Sequence, residues 1–214
     1  MNGFAERKAQ LAQALGSAGA APVGLAKDTS NLFRDREQAG KRRLDVRAFH
    51  HVLAVDREQG WVEVEGVTPY DALVDATLAH GVMPAVVPQL KSITIGGAAA
   101  GVGIEATSFR QGLVHDTLLE IEVLTGTGET VVATPDNEHR GLFFGFPNSY
   151  GTLGYALRLK ARTVPVKPYV EVRHHRFDDA AAAFRAMAAL ADTGIDFLDG
   201  VVFGRDRLVV TTAR

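Results

Sequence analysis

Between Ile93 and Ala106 the chain reads ITIGGAAAGVGIEA, and seven of the eight positions from Gly96 to Gly103 are glycine or alanine. Side chains are nearly absent there, so backbone amides can approach a phosphate, a flat ring or another stretch of chain without steric conflict. Two readings stay open on these residues alone: a nucleotide-binding loop, and close packing of chain against chain. Gly101, Gly103 and Ala106 also satisfy the dinucleotide spacing of glycine, any, glycine, two of any, then glycine or alanine. That fingerprint needs a strand before it, a helix opening at the glycines and an acidic residue ending the next strand about 20 residues on. Here the chain continues SFRQGLVHDTLLEIEVLTGTGETV, interrupted by Gly112 and then by a hairpin, which argues against a Rossmann unit.

The pattern around the run mixes strands and helices. Phe4, Leu11 and Leu15 at helical spacing predict a short amphipathic helix over 4–15, ended by Gly16 to Pro22. From Pro22 a brief apolar strand turns polar and loop-like at Asp28, Thr29, Ser30 and Asn31. Phe49–Val55 and Trp61–Val67 read as two strands joined at Asp56–Gly60, with Glu63 and Glu65 on a wet face and Trp61 as a core anchor. Thr68 is placed to cap a helix led by Pro69 that breaks at Gly81. A second hairpin, Leu118–Leu124 with Glu129–Ala133, turns through TGTG, and a strand follows over Tyr155–Val164. Pro165 and Pro168 read as a boundary. Beyond them come a strand (Tyr169–Phe177), an alanine-rich helix (Asp179–Leu190) and strands near Gly200–Phe203 and Leu208–Thr211, about 45 residues that are marginal as an independent core. The chain reads as cut inside this second unit, with no internal repeat or low-complexity linker.

Composition narrows the partners. With 214 residues, 46% of them apolar, the chain can bury on the order of 70% of its unfolded surface. Its 23 basic and 25 acidic residues nearly balance, which speaks against a nucleic-acid partner. The absence of cysteine removes disulfides, thiol nucleophiles, thiolate metal sites and cysteinyl-flavin linkages together. No window reaches 18 uncharged apolar residues and the N-terminus lacks a secretion signal, so the expectation is a soluble cytoplasmic protein with no transmembrane segment and room only for peripheral membrane contact. Enrichment in Ala, Gly, Val and Arg is compatible with a GC-rich bacterial genome.

Three segments together carry a family likeness: VVPQLKSITIGGAAAGVGIEATSFRQGLVHD (86–116), LTGTGETV (124–131) and FPNSYGTLGYALRLKARTVPVKPYV (146–170). In order, over about 22–177, the chain resembles the flavin-binding domain of the vanillyl-alcohol oxidase and p-cresol methylhydroxylase superfamily, and within it the sterol Δ24-reductase-like branch. The resemblance implies an α+β fold: a two-subdomain FAD-binding domain over residues 1–165, then the start of an antiparallel-sheet cap or substrate domain over 169–214. It implies FAD between the two subdomains. By that likeness Lys27, Thr29, Ser30, Asn31 and Leu32 match the first pyrophosphate loop, and Pro88, Gln89 and Leu90 enter the second. Thr94, Ile95, Gly96, Gly97, Gly101, Gly103, Ile104, Glu105 and Ser108 match the second loop, while Thr152, Leu153 and Gly154 match a downstream flavin-contacting turn.

The first loop has no histidine and the chain no cysteine, so the expected flavin is non-covalent, with His115 the nearest exception. The resemblance further implies NADPH or NADH as electron donor and reduction of a carbon–carbon double bond in a hydrophobic lipid, either a methylene-bearing fatty acyl chain or a sterol side chain. Two other readings stay open: an FAD-dependent oxidase or dehydrogenase of a hydroxy acid, alcohol or sugar, and a non-catalytic fragment that only binds flavin or a partner chain. No catalytic residue stands out. His115 followed by Asp116 is a candidate proton-handling pair or a loop pin. The pairs His50–His51 and His174–His175 are not read as metal sites, because neighbours in a strand face opposite ways. Ser149 lies in PNSYG, outside any nucleophile elbow, and with Asn148 is read as a turn former. Arg34, Arg36, Lys41, Arg42 and Arg43 are read as a solvated loop.

Overall fold

The computed structural model describes residues 3–16, 22–29 and 41–214. Its frame is an antiparallel sheet built on one long strand, β8 (Tyr155–Pro165). Strand β4 (Trp61–Glu65) pairs with it on one side and β6 (Leu118–Leu124) on the other. β3 (Val52–Asp56) extends the sheet beyond β4, and β7 (Thr130–Ala133) beyond β6. The short β5 (Val82–Pro84) pairs with the end of β8. Both hairpins expected from the turn residues are present. Antiparallel pairing throughout this sheet also excludes a Rossmann unit in it.

The alternation of β8 sorts its two faces. Val62, Val64, Ile121, Leu159 and Ala161 share one face and are buried against helices α2 (Tyr70–Leu78) and α3 (Ile95–Gly101). The opposite face is charged, with Glu63 and Glu120 both registering on Lys160, and Glu65 and Glu122 on Arg158. Helix α1 (Phe4–Gly16) lies over part of it and buries Leu11 with Leu44, Val46 and Phe49. The face expected to be wet is therefore partly covered. Glu65 is fully buried, paired with Arg7 of α1 and with His51 Nδ1 at 2.6 Å.

Several sequence expectations need correcting. Trp61 is not a core anchor: it is half-buried on the charged face, with Lys160 Nζ 3.8 Å from its ring centroid. Thr68 does not cap α2, whose N-cap is Pro69; it is buried and its hydroxyl bonds His51 O. His50 and His51 precede β3 and stack with ring centroids 4.4 Å apart, so they do not face opposite ways. Arg42 and Arg43 lie on a strand, β2 (Arg42–Asp45), which pairs parallel with β1 (Val23–Ala26) and buries Leu44. Arg34 and Arg36 lie outside the described residues.

After β8 the chain forms a separate three-stranded antiparallel sheet in the order β10 (Phe197–Gly204), β11 (Arg207–Ala213), β9 (Val172–Phe177). One face packs on α6 (Ala180–Ala191), whose first turn is capped by the Asp179 carboxylate accepting from Ala182 N at 2.7 Å. Leu198 N donates to Ala106 O at 2.9 Å, tying this sheet to the segment that follows the glycine run. Among the described residues, no helix is long and apolar enough to cross a membrane.

Candidate functional site

The segment 94–108 runs between two cavities. Its first half forms α3, where Thr94 caps the helix by accepting from Gly97 N at 3.2 Å. Small residues allow α3 to sit directly on the sheet: a Cβ on Gly96 would lie 2.6 Å from Gly66 O, and one on Gly66 would lie 1.9 Å from Ala156 O. Chain-on-chain packing thus accounts for Gly96. Ile95 is in the core and faces neither cavity.

The first cavity is a cleft of about 170 Å³ lined by Leu25, Lys27, Thr94, Gly97, Tyr150 and Tyr155, among others. Gly66, Gly96, Gly151 and Gly154 join Gly97 in its wall, so much of the surface is bare backbone. Among the described lining residues Lys27 is the one charged group. Three non-glycine residues with positive φ lie in the segments bordering it: Val102 (61°), Asn148 (59°) and Tyr150 (48°). Tyr150 holds the end of α3, its amide donating to Ala100 O at 3.1 Å and its hydroxyl to Gly101 O at 3.1 Å. Next to it Ser149 Oγ is buried with no hydrogen-bond partner, although the Ser149 backbone makes the expected turn bonds. Burial raises the Tyr155 hydroxyl above the ordinary tyrosine range; that hydroxyl donates to Val23 O and joins β1 to the cleft.

The second cavity is a groove of about 770 Å³, within the size range of about 300–1,000 Å³ common for ligand pockets. One wall is Val87, Gln89, Ile104, Glu105, Ser108, Phe109 and Leu113; the other is the β10–β11 sheet with Phe184 and Met187 of α6. It is mainly apolar. Among the described residues that line it, Glu105 and Asp199 are the ionisable ones, with no lysine, arginine or histidine. Glu105 Oε2 accepts from Gln89 N at 3.1 Å, and Ser108 Oγ accepts from Glu105 N at 2.9 Å. Burial raises the Glu105 carboxyl above its usual range against the lowering effect of Gln89, and the charge of Asp199 adds to the rise.

The predicted residues distribute as follows. Lys27, Thr94, Gly96, Gly97 and Gly154 line the cleft; Gln89, Ile104, Glu105 and Ser108 line the groove. Pro88 is buried and Leu90 exposed, neither lining these cavities. Gly101 and Gly103 serve through their carbonyls, which accept from Tyr150 and Val114. Thr152 closes the turn onto Ser149 O, and Leu153 is exposed beside it. Thr29 is described but lines neither cavity, and Ser30, Asn31 and Leu32 lie outside the described residues. His115 belongs to neither lining; its Nε2 is 3.7 Å from Asp116 Oδ1 and its Nδ1 is buried without a hydrogen bond. Among the described residues no group of three His, Asp or Glu converges as metal ligands. Tyr150, Gly66 and Asp199 were not read from the sequence. Gly66 left a signal, a glycine interrupting an apolar alternation; Asp199 left none, because its relevance arises from a sheet that packs back on the loop.

Comparison with known proteins fits this geometry. A model of the FAD binding domain matches residues 5–134. The chain is similar to the Δ(24)-sterol reductase of Pisum sativum, at 29% identity over 84% of the chain and 34% of that protein. It is also similar to the Δ(24)-sterol reductase of Arabidopsis thaliana, at 33% over 65% of the chain and 25% of that protein. Cytokinin dehydrogenase 10 of Oryza sativa matches at 27% over 85% of the chain and 32% of that protein. The chain spans about a third of the length of the curated relatives it matches.

Proposed function

The chain belongs to the FAD-binding domain family, and from that premise we propose that it is the flavin-holding part of an FAD-dependent oxidoreductase that reduces a carbon–carbon double bond of a hydrophobic lipid. In this reading residues 1–165 form the FAD-binding domain and 169–214 begin a cap. The observation that carries it is the contrast between the two cavities flanking segment 94–108: a cleft walled by backbone with Lys27 on its wall, and an apolar groove that, among the described residues, carries two carboxylates and no cation.

The residues present fit a dinucleotide. Lys27 stands on the cleft wall and would supply positive charge to a pyrophosphate, and the glycine wall admits close approach. The cleft alone is smaller than a whole dinucleotide requires, so the ring end of the cofactor is assigned to the groove side of the same segment. Bound non-covalently and reduced by NADPH or NADH, FAD supplies hydride transfer. The protein's part is to hold the lipid against it, exclude water with the apolar walls, and place a proton donor. The relatives' printed names support a sterol side chain as substrate; a methylene-bearing fatty acyl chain fits the same walls. Such a substrate suits a cytoplasmic protein that touches a membrane surface peripherally. The cytokinin dehydrogenase match favours one alternative, an FAD-dependent dehydrogenase that oxidises its own substrate.

Titrating the purified chain with FAD, read by the flavin absorbance and fluorescence, tests the core of the reading. Saturable binding is expected, weakened about tenfold in Lys27→Gln by loss of one charge-assisted contact, with all colour released on acid precipitation. A chain that does not bind FAD overturns the proposal. With flavin bound, anaerobic bleaching by NADPH or NADH supports the reductase, while bleaching by an alcohol alone supports the dehydrogenase.

A further inference from the structure

The groove walls differ from an ordinary lipid pocket in one respect: they carry charge of a single sign. Among the described residues twenty line it; two of them ionise, and both are acids. Glu105 is fixed where it stands, because Gln89 N holds its carboxylate and Ser108 Oγ holds its amide. Asp199 projects from the opposite wall, on β10, and accepts from Gly200 N at 2.7 Å. The nearby cation Arg110 is engaged elsewhere, donating to Thr193 O at 2.7 Å and lying 4.0 Å from Asp196 Oδ1. Arg207 stacks on Phe203, its Cζ 5.4 Å from the ring centroid. Neither belongs to the lining.

We propose that Glu105 and Asp199 make the groove select by charge, admitting an elongated apolar molecule whose polar end is a neutral hydroxyl and turning away one that ends in a carboxylate. This rests on the groove being the lipid site. A carboxylate drawn between these walls would face two like charges and, among the described lining residues, meet no counter-ion. A hydroxyl meets the reverse situation, since it can donate to either carboxylate and form a charge-assisted hydrogen bond. The Glu105 carboxyl is raised first by its own burial, and the charge of Asp199 adds to the rise, in accord with two negative groups facing one groove. The consequence for substrate is specific: a free fatty acid is excluded, and an acyl chain enters only when its acid is esterified.

Two probes that differ in one group test this: cis-parinaric acid and parinaryl alcohol, each titrated into the chain with FAD present and read by polyene fluorescence. The alcohol is expected to bind at least about tenfold more tightly than the acid. In the double variant Glu105→Gln/Asp199→Asn the acid should gain most of that factor. Val202→Lys, at an exposed lining position that tolerates a long side chain, should also favour the acid. Equal affinity for acid and alcohol in the unaltered chain, or a preference that survives both variants, overturns the inference. FAD binding in the same samples separates the two claims: flavin bound without probe discrimination sinks charge selection alone, while flavin bound with neither probe sinks the lipid reading as well.

Discussion

Gly66 has no room for a methyl group. Its missing Cβ would sit 1.9 Å from Ala156 O and 2.9 Å from the Ala156 carbonyl carbon, both backbone atoms of the central strand that cannot move independently. Gly101 differs, for its nearest neighbour would be Tyr150 Cε1 at 3.5 Å, an ordinary contact. Gly66→Ala is therefore expected to destabilise the fold by about 3 kcal/mol or more, as overpacking against backbone does. Gly101→Ala should cost less than about 1 kcal/mol, since alanine favours the helix that Gly101 ends. Urea denaturation of both variants checks the ordering, and equal losses would refute it. The glycine run was legible as a place of close approach. Which glycines face a ligand and which face the sheet was not, because that depends on Gly66, 30 positions away in the sequence.

Helix α1 and the charged face of the sheet form one electrostatic unit. Arg158 pairs with Glu63, with Glu120 at 2.7 Å and with Glu122 at 2.7 Å, and Lys8 of α1 reaches Glu122 at 2.5 Å. Arg158 itself is largely buried, and its guanidinium is held far above its ordinary range: burial works against the charge, but the Glu122 and Glu63 hydrogen bonds outweigh it. Removing it leaves three carboxylates facing one another. Arg158→Met is expected to lose about 3 kcal/mol at neutral pH, the scale for breaking a buried pair on one side, and to lose less at acid pH where the carboxylates take up protons. Denaturant melts at two pH values decide it, and a variant as stable as the parent would refute the network's role. Alternation along β4 and β8 was readable from sequence. The helix that turns a solvent face into an interface was not, because α1 had apolar spacing but no visible partner.

Across the whole molecule two carboxylates respond to pH in opposite directions. Burial raises Glu122, but the hydrogen bonds from Lys8 and Arg158 outweigh it and leave the carboxyl below its usual range. Its stabilising contribution is present at neutral pH and is lost as pH falls through that lowered value. Glu105 is raised, so its contribution is favourable in acid and is lost as pH rises through its folded value, above the ordinary carboxylate range. At neutral pH Glu105→Gln should therefore raise the melting temperature, with the gain shrinking toward pH 4, whereas Glu122→Gln should lower it, with the deficit shrinking in acid. Thermal melts across that range test both signs, and a Glu105→Gln variant destabilised at pH 7 would contradict the groove's electrostatics. The same carboxylate that weakens the fold lines the cavity where selection by charge is proposed, an arrangement common at functional sites.

Local chemistry in the sequence determined the hairpins, α1, α6 and the glycine run, because turn residues, apolar period and side-chain size act within a few residues of one another. The ordered motifs carried the FAD-binding family as well. Tertiary structure alone decided that Gly96 packs on Gly66, that Glu65 is buried beneath α1, and that Glu105 and Asp199 meet in one groove. Each of these joins residues 30 or more positions apart, and their burial and charge are set by which surfaces the sheets bring together.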